Sequence, residues 1–170
     1  MTRSSQSLRI ASCACGRVRC EGVGAPILSS VCYCADCQEG GRRIETLPHA
    51  APIRDADGGT SYLVYRDDRF SCVSGQELLR DYRLEERSPT RRVVASCCNT
   101  GMFLKFEPGF WVSAYRARFS GDPPPIEMRN KAKYRRAATP IPQDAPSYRG
   151  YPLKLFVKLI SARIAMLLGV

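Results

Sequence analysis

Short-range alternation of apolar and polar residues runs through the first two thirds of the chain and predicts strands of four to nine residues. Residues 8–11 and 17–20 alternate on either side of a turn at Cys13-Ala14-Cys15-Gly16. Val18 and Cys20 share one face and are expected to pack inward. From residue 60 to 119 the pattern becomes a meander. Runs at 62–65, 70–73, 78–84 and 91–96 are rich in β-branched or aromatic residues, and turn chemistry such as Ser74-Gly75-Gln76-Glu77 separates them. Cys72 falls inside one run and reads as core. Met102-Phe103-Leu104 and the loose alternation of residues 111–119 would close the sheet. Residues 44–59 collect proline, glycine and aspartate and read as loop. His49, the only histidine, lies there and reads as solvated.

Two later segments break the strand pattern. Residues 120–152 hold seven of the twelve prolines together with Arg129, Lys131, Lys133, Arg135 and Arg136, the composition of an extended linker that buries little. Residues 153–168 read as a helix too short and too basic to span a membrane. At about 100° per residue, Lys154, Lys158, Ser161 and Ala165 share a face while Arg163 lies opposite among leucines and isoleucines. Such a helix is expected to dock on its own domain or on a second copy, which makes a homo-oligomer through this helix one partner expectation. Binding to anionic lipid is the other. The organisation expected is therefore a β domain over residues 7–119, a basic linker over 120–152 and a terminal amphipathic helix over 153–168.

Charge is uneven. Of the net +10, residues 120–170 contribute +6, from nine Lys or Arg against three Asp or Glu. That balance favours anionic partners, whether a small carboxylate, nucleic acid or an acidic surface. Nine cysteines would suit a secreted disulfide scaffold, yet the first seven residues carry no apolar leader, so a reducing cytoplasm with thiolates on metal is expected.

The cysteines carry the candidate chemistry. Cys32, Cys34 and Cys37 fall within six residues, in Cys32-Tyr33-Cys34-Ala35-Asp36-Cys37-Gln38, a spacing from which three thiols can turn toward one ion. A lone cysteine is as readily a small buried hydrophobe, but three amid Tyr33, Asp36 and Gln38 are poor core material. Gly40 and Gly41 end whatever turn or helix Cys37 begins. Three protein ligands leave one tetrahedral corner open, the mark of a catalytic rather than a structural zinc. Cys13 and Cys15, followed by Gly16, read as a second knuckle, with a hairpin holding two buried cysteines as the alternative. Cys97 and Cys98 are adjacent. On a strand they would point to opposite faces, so at most one should reach a given ion unless the backbone kinks.

With these groups placed, residues 7–106 resemble the glutathione-dependent formaldehyde-activating enzyme (GFA/CENP-V) family. That family's signature is C-x-C-G, then C-x-C-x-x-C-Q, then R-x-F-C-x-x-C-G. The first two match at Cys13-Ala14-Cys15-Gly16 and Cys32 to Gln38. In the third, Cys98-Asn99-Thr100 stands for C-G-T, the preceding cysteine falls on Ala95, and Cys97 is an additional thiol. The resemblance implies a mainly β, tent-like fold of small antiparallel sheets with zinc knuckles, and one or two zinc ions. It implies a structural site from Cys13, Cys15 and Cys98, with Cys97 standing in for the missing ligand, and a catalytic site from Cys32, Cys34 and Cys37. The activity implied is that of a carbon–sulfur lyase acting on a glutathione-type thiol and a small aldehyde. Zinc with three thiolates is a feeble Lewis acid but a good partner for a fourth sulfur. Arg17, Arg19, Arg42 and Arg43 flank the clusters and read as solvated. The contrasting expectation is a zinc-stabilised binding module whose basic tail engages nucleic acid or protein, with Tyr134 and Tyr148 as stacking residues.

Overall fold

The structure, a computed structural model, describes residues 7–170, so residues 1–6, on which the reading of no leader rests, lie outside the described residues. Among the described residues the fold is mainly β, with two α-helices and two sheets. Strands β1 (Leu8–Ser12), β2 (Arg19–Val23) and β5 (Phe70–Ser74) form an antiparallel three-stranded sheet in the order β1-β2-β5. The larger sheet has seven strands. It is built from β3 (Leu28–Cys32), β4 (Thr60–Arg66), β6 (Leu79–Tyr82), β7 (Thr90–Ala95), β8 (Thr100–Phe106), β9 (Trp111–Tyr115) and β10 (Met128–Asn130), in the order β10-β3-β4-β9-β8-β7-β6. Helix α1 (Ala35–Glu45) follows β3, and α2 (Leu153–Leu167) ends the chain.

The alternation in β4 shows how the layers are made. Tyr62 and Val64 face the core shared with α1 and α2, whereas Leu63 and Tyr65 face the small sheet with Ala11, Ala114 and Phe119. A central strand buried on both faces is hydrophobic on both, and the middle of β4, residues 62–65, is. A third cluster of Cys13, Val18, Cys20, Ala95 and Met102 lies where the two sheets meet.

Three expectations change. Cys20 and Cys72, read as core thiols, sit opposite one another in the β2–β5 register and are joined as a disulfide. Residues 120–152 do more than cross the surface. Their β10 adds to β3 as a parallel edge strand, and Met128, Arg129 and Asn130 are buried. The Arg129 guanidinium donates to the Tyr33 hydroxyl at 2.7 Å and pairs with Asp57 at 3.1 Å, while Tyr33 donates to Asp57 at 2.6 Å and Asp144 closes the other side of Arg129. A buried cation needs such partners, and hydropathy along the chain does not show them. Third, residues 35–45 form a full helix, because Gly40 and Gly41 lie inside it at close contacts and do not end it.

Helix α2 docks on its own domain by one face. Leu155 packs on the core, and Lys158 pairs with Glu127 at 2.5 Å. Leu153, Val157, Ile160, Ile164 and Leu167 on the other face are exposed. Among the described residues no helix is long and apolar enough to cross a membrane.

Replacing Arg129 by Met leaves Asp57 buried without its cation. The expected loss is about 3 kcal/mol, roughly 6–12 °C in Tm, read by denaturant and thermal unfolding. A loss below about 1 kcal/mol would show that the pair does not hold the arm.

Candidate metal centre

The first thiol group forms where two hairpin tips meet. Cys13 and Cys15 lie in the β1–β2 turn, closed by the Cys13 amide to the Val18 carbonyl at 3.0 Å and by Gly16 at φ 76°. Cys97 and Cys98 lie in the β7–β8 turn, where Asn99 takes a left-handed φ of 53°. That turn is the kink on which the sequence reading was conditional, and through it both neighbours reach the same point. Sulfur separations are 3.6 Å for Cys13–Cys15, 3.8 Å for Cys13–Cys97, 3.3 Å for Cys15–Cys97 and 3.9 Å for Cys97–Cys98. Four sulfurs about 2.3 Å from one ion stand about 3.8 Å apart, so this group fits a closed tetrahedral zinc. Thr100 supports it, accepting from the Ala14 amide at 3.1 Å and lying 3.0 Å from the Cys98 sulfur.

The second group forms at the end of β3. Cys32 is the last residue of that strand, Cys34 is the N-cap of α1, and Cys37 lies in the helix's first turn. The Cys37 amide donates to the Cys34 sulfur at 3.4 Å, as it would to a capping serine. The three sulfurs lie within 4.8 Å of one another, and among the described residues no further Cys, His, Asp or Glu joins them. His49 belongs to neither group.

Electrostatics separates the members of each group. In the triplet, hydrogen bonds from the Cys32 and Cys37 thiols, then backbone amides, pull Cys34 down to about 3. The bond to Cys34 pushes Cys32 up to about 12, and the same sharing plus burial holds Cys37 well above its usual range. One proton leaves readily and the others resist, because sulfurs this close cannot all ionise without a cation between them. In the four-thiol group the Arg17 amide, then Cys97, lowers Cys15 to about 6, while burial raises Cys97 to about 12. Both groups could hold a metal ion, and their all-sulfur donor sets suit zinc.

Of the two thiol groups among the described residues, the triplet is the one that lines a cavity of about 460 Å³ between the large sheet and α2. Its wall is largely apolar, with Leu104, Phe106 and Trp111 on the sheet side and Leu155, Phe156 and Leu159 on the helix side. The Tyr151 hydroxyl lies 4.0 Å from the Cys32 sulfur, and buried Tyr62 donates to Cys37 at 3.3 Å. Burial first, and the thiolates next, hold both tyrosine protons in place.

All seven cysteines marked in the sequence fall in these two groups. The residue reading did not single out Tyr62, Tyr151 or Arg92, which reach the triplet or its cavity from other elements; of these Arg92 alone had a local signal, since it falls on the arginine of the resembled R-x-F-C-x-x-C-G signature. Gln38, quoted within the motif, has a definite task. Its amide donates to the Tyr33 carbonyl at 2.6 Å and the Tyr134 carbonyl at 2.8 Å and accepts from the Arg136 amide, so it clamps the knuckle to the proline-rich arm.

Fold and site together define a mainly β, cysteine-rich protein with two thiol groups able to take metal ions, one closed and one open to a cavity. No family model matches the chain, and no curated protein does. Among solved structures it is similar to a Rhodobacter sphaeroides protein determined as a structural-genomics target, at 15% identity and a TM-score of 0.49, over 82% of this chain and 99% of that one. A likeness that loose transfers neither fold nor function.

Zinc-reconstituted, reduced protein is expected to carry two ions per chain in native mass spectrometry, one for each group. Cys34→Ser should remove one ion and leave the fold. Cys15→Ser should weaken the other site and cost the larger stability, several kcal/mol, because that site ties the hairpin tips of two sheets. Unchanged metal content in both variants would exclude these groups as ligands.

Proposed function

We propose that the protein is a zinc-dependent enzyme of carbon–sulfur lyase type, in which Cys32, Cys34 and Cys37 form the catalytic site and the four-thiol group is structural. It would take a glutathione-type thiol and make or break its bond to a small aldehyde. One observation carries the reading: three converged thiols, without a fourth protein ligand among the described residues, open onto a cavity large enough for a small molecule. The motif resemblance in residues 7–106 adds the reaction class. A zinc ion on the triplet would bind a fourth sulfur and keep it as thiolate at neutral pH.

The chain's own groups do the rest. Cys34, at the N-terminus of α1, stays ionised and holds its position through the Cys37 amide. Tyr62 donates to the Cys37 sulfur and thins its charge, which leaves the open corner more attractive to another sulfur. Helix α2 roofs the cavity with apolar side chains that keep bulk water from a reactive carbonyl. In the forward direction the thiolate sulfur forms a bond to the aldehyde carbon, the C=O π pair passes to oxygen, and the proton lost by the thiol ends there as hydroxyl. Tyr151 keeps a protonated hydroxyl beside the triplet that can donate to that oxygen. The reverse sequence splits the adduct, with no net oxidation.

The rival reading, a binding module with a basic tail, loses three of the tail's nine cations to contacts within the chain. Arg129, Arg135 and Lys158 are engaged by carboxylates or backbone carbonyls of the same chain.

Cobalt-substituted protein tests the proposal. Addition of glutathione should shift the sulfur-to-cobalt absorption bands with a stoichiometry of about one thiol per chain, and Cys34→Ser should abolish the response. Bands that ignore the thiol would mean a closed metal and favour the module.

A further inference from the structure

The wall of the cavity beside the triplet holds a buried cation that is only partly satisfied. Arg92, on β7, is 2% exposed, and no carboxylate pairs with it among the described residues. Its Nη2 donates to the Asp36 carbonyl, between Cys34 and Cys37, at 2.6 Å. Its Nη1 is buried and lacks any partner, and Arg92 is one of the residues that line the cavity. A guanidinium cannot shed its charge, so this placement is costly unless an anion completes it.

The surroundings are shaped for the guanidinium group. A Cβ on Gly40 would stand 2.0 Å from the Arg92 Nε, so helix α1 has room for this side chain only because residue 40 has none. Among the described residues, the buried polar atoms without a partner include just two in the cavity wall, Arg92 Nη1 and Asn130 Oδ1. The first is a charged donor and the second an acceptor. The rest of the wall is mainly aliphatic and aromatic.

We infer that Arg92 is the specificity-determining anion anchor of this cavity, and that the substrate is a thiol, or its aldehyde adduct, bearing one carboxylate on an apolar body. The carboxylate meets Arg92 Nη1, the adduct hydroxyl can donate to Asn130 Oδ1, and the sulfur faces Cys32, Cys34 and Cys37. This rests on the triplet being the thiol site.

The test uses metal-loaded, full-length protein and two pairs of probes. By calorimetry at neutral pH, 3-phenylpropionate should bind about 10- to 100-fold tighter than 3-phenyl-1-propanol, since the pair differs only in the charged group that Nη1 would hold. Arg92→Met should erase that ratio, and Arg92→Lys should keep part of it. Gly40→Ala should reduce it by displacing the guanidinium with its charge intact. Equal binding of acid and alcohol by the unmodified protein overturns the inference even if no variant folds, and so does a preference that survives Arg92→Met. The second pair, 3-mercaptopropionate and 3-mercapto-1-propanol, is followed through the cobalt bands. If neither thiol moves them while the phenylpropionate preference stands, the thiol reading falls and the anion anchor remains. If both move them equally, the thiol reading stands and the anchor falls.

Discussion

Sulfur atoms less than 5 Å apart repel one another as soon as more than one of them is ionised, and this fold gathers seven in two such groups. Protons shared unequally are one solution, and they leave Cys34 ionised while Cys32 and Cys37 keep theirs. A divalent cation is the other, because it lets every sulfur shed its proton. The separations in the four-thiol group already suit a tetrahedral ion. The backbone has been shaped around that demand at three places: the Gly16 turn, the left-handed Asn99 and the N-terminus of α1.

The two groups differ in what surrounds them. The four-thiol group lies between hairpin tips of the small and large sheets and offers four sulfurs to one point. The triplet lies at the end of β3, and the polar network behind it explains why it stays in position. Arg129, Asp57 and Tyr33 lock β10 against β3, and Gln38 fastens α1 to residues 134–136. These contacts bring the arm, and after it Tyr151 and α2, over the thiols, so the proline-rich segment carries the helix that forms the cavity's outer wall into place.

Much of the site was legible because its information is local. Spacing alone singles out Cys32, Cys34 and Cys37, and turn chemistry beside Cys13 and Cys15 marks a knuckle. The β meander followed from alternation and its broad class from strand length. What could not be read depends on contacts across long separations. Cys20 and Cys72 are 52 residues apart and meet only through the β2–β5 register. Cys97 and Cys98 reach one point because the turn bends there, which adjacency does not reveal. Arg129 looks in sequence like any surface arginine, and Arg92 falls on the arginine of the resembled signature with no role readable from it; burial gives the first a carboxylate and leaves the second with an unused donor. The arm looked like a linker for the same reason, since composition cannot show that three of its residues complete a sheet.

The central claim is that one metal is closed by four sulfurs and the other is held by three with a place left for substrate. X-ray absorption at the zinc edge tests it most directly on fully loaded, reduced protein without added thiol. The account predicts a mean of about 3.5 sulfurs per zinc at about 2.3 Å, with one light oxygen or nitrogen scatterer shared over two ions, rising toward four sulfurs when thiol is added. A uniform shell of four sulfurs before any thiol is added, or a protein that takes up no zinc, would contradict it.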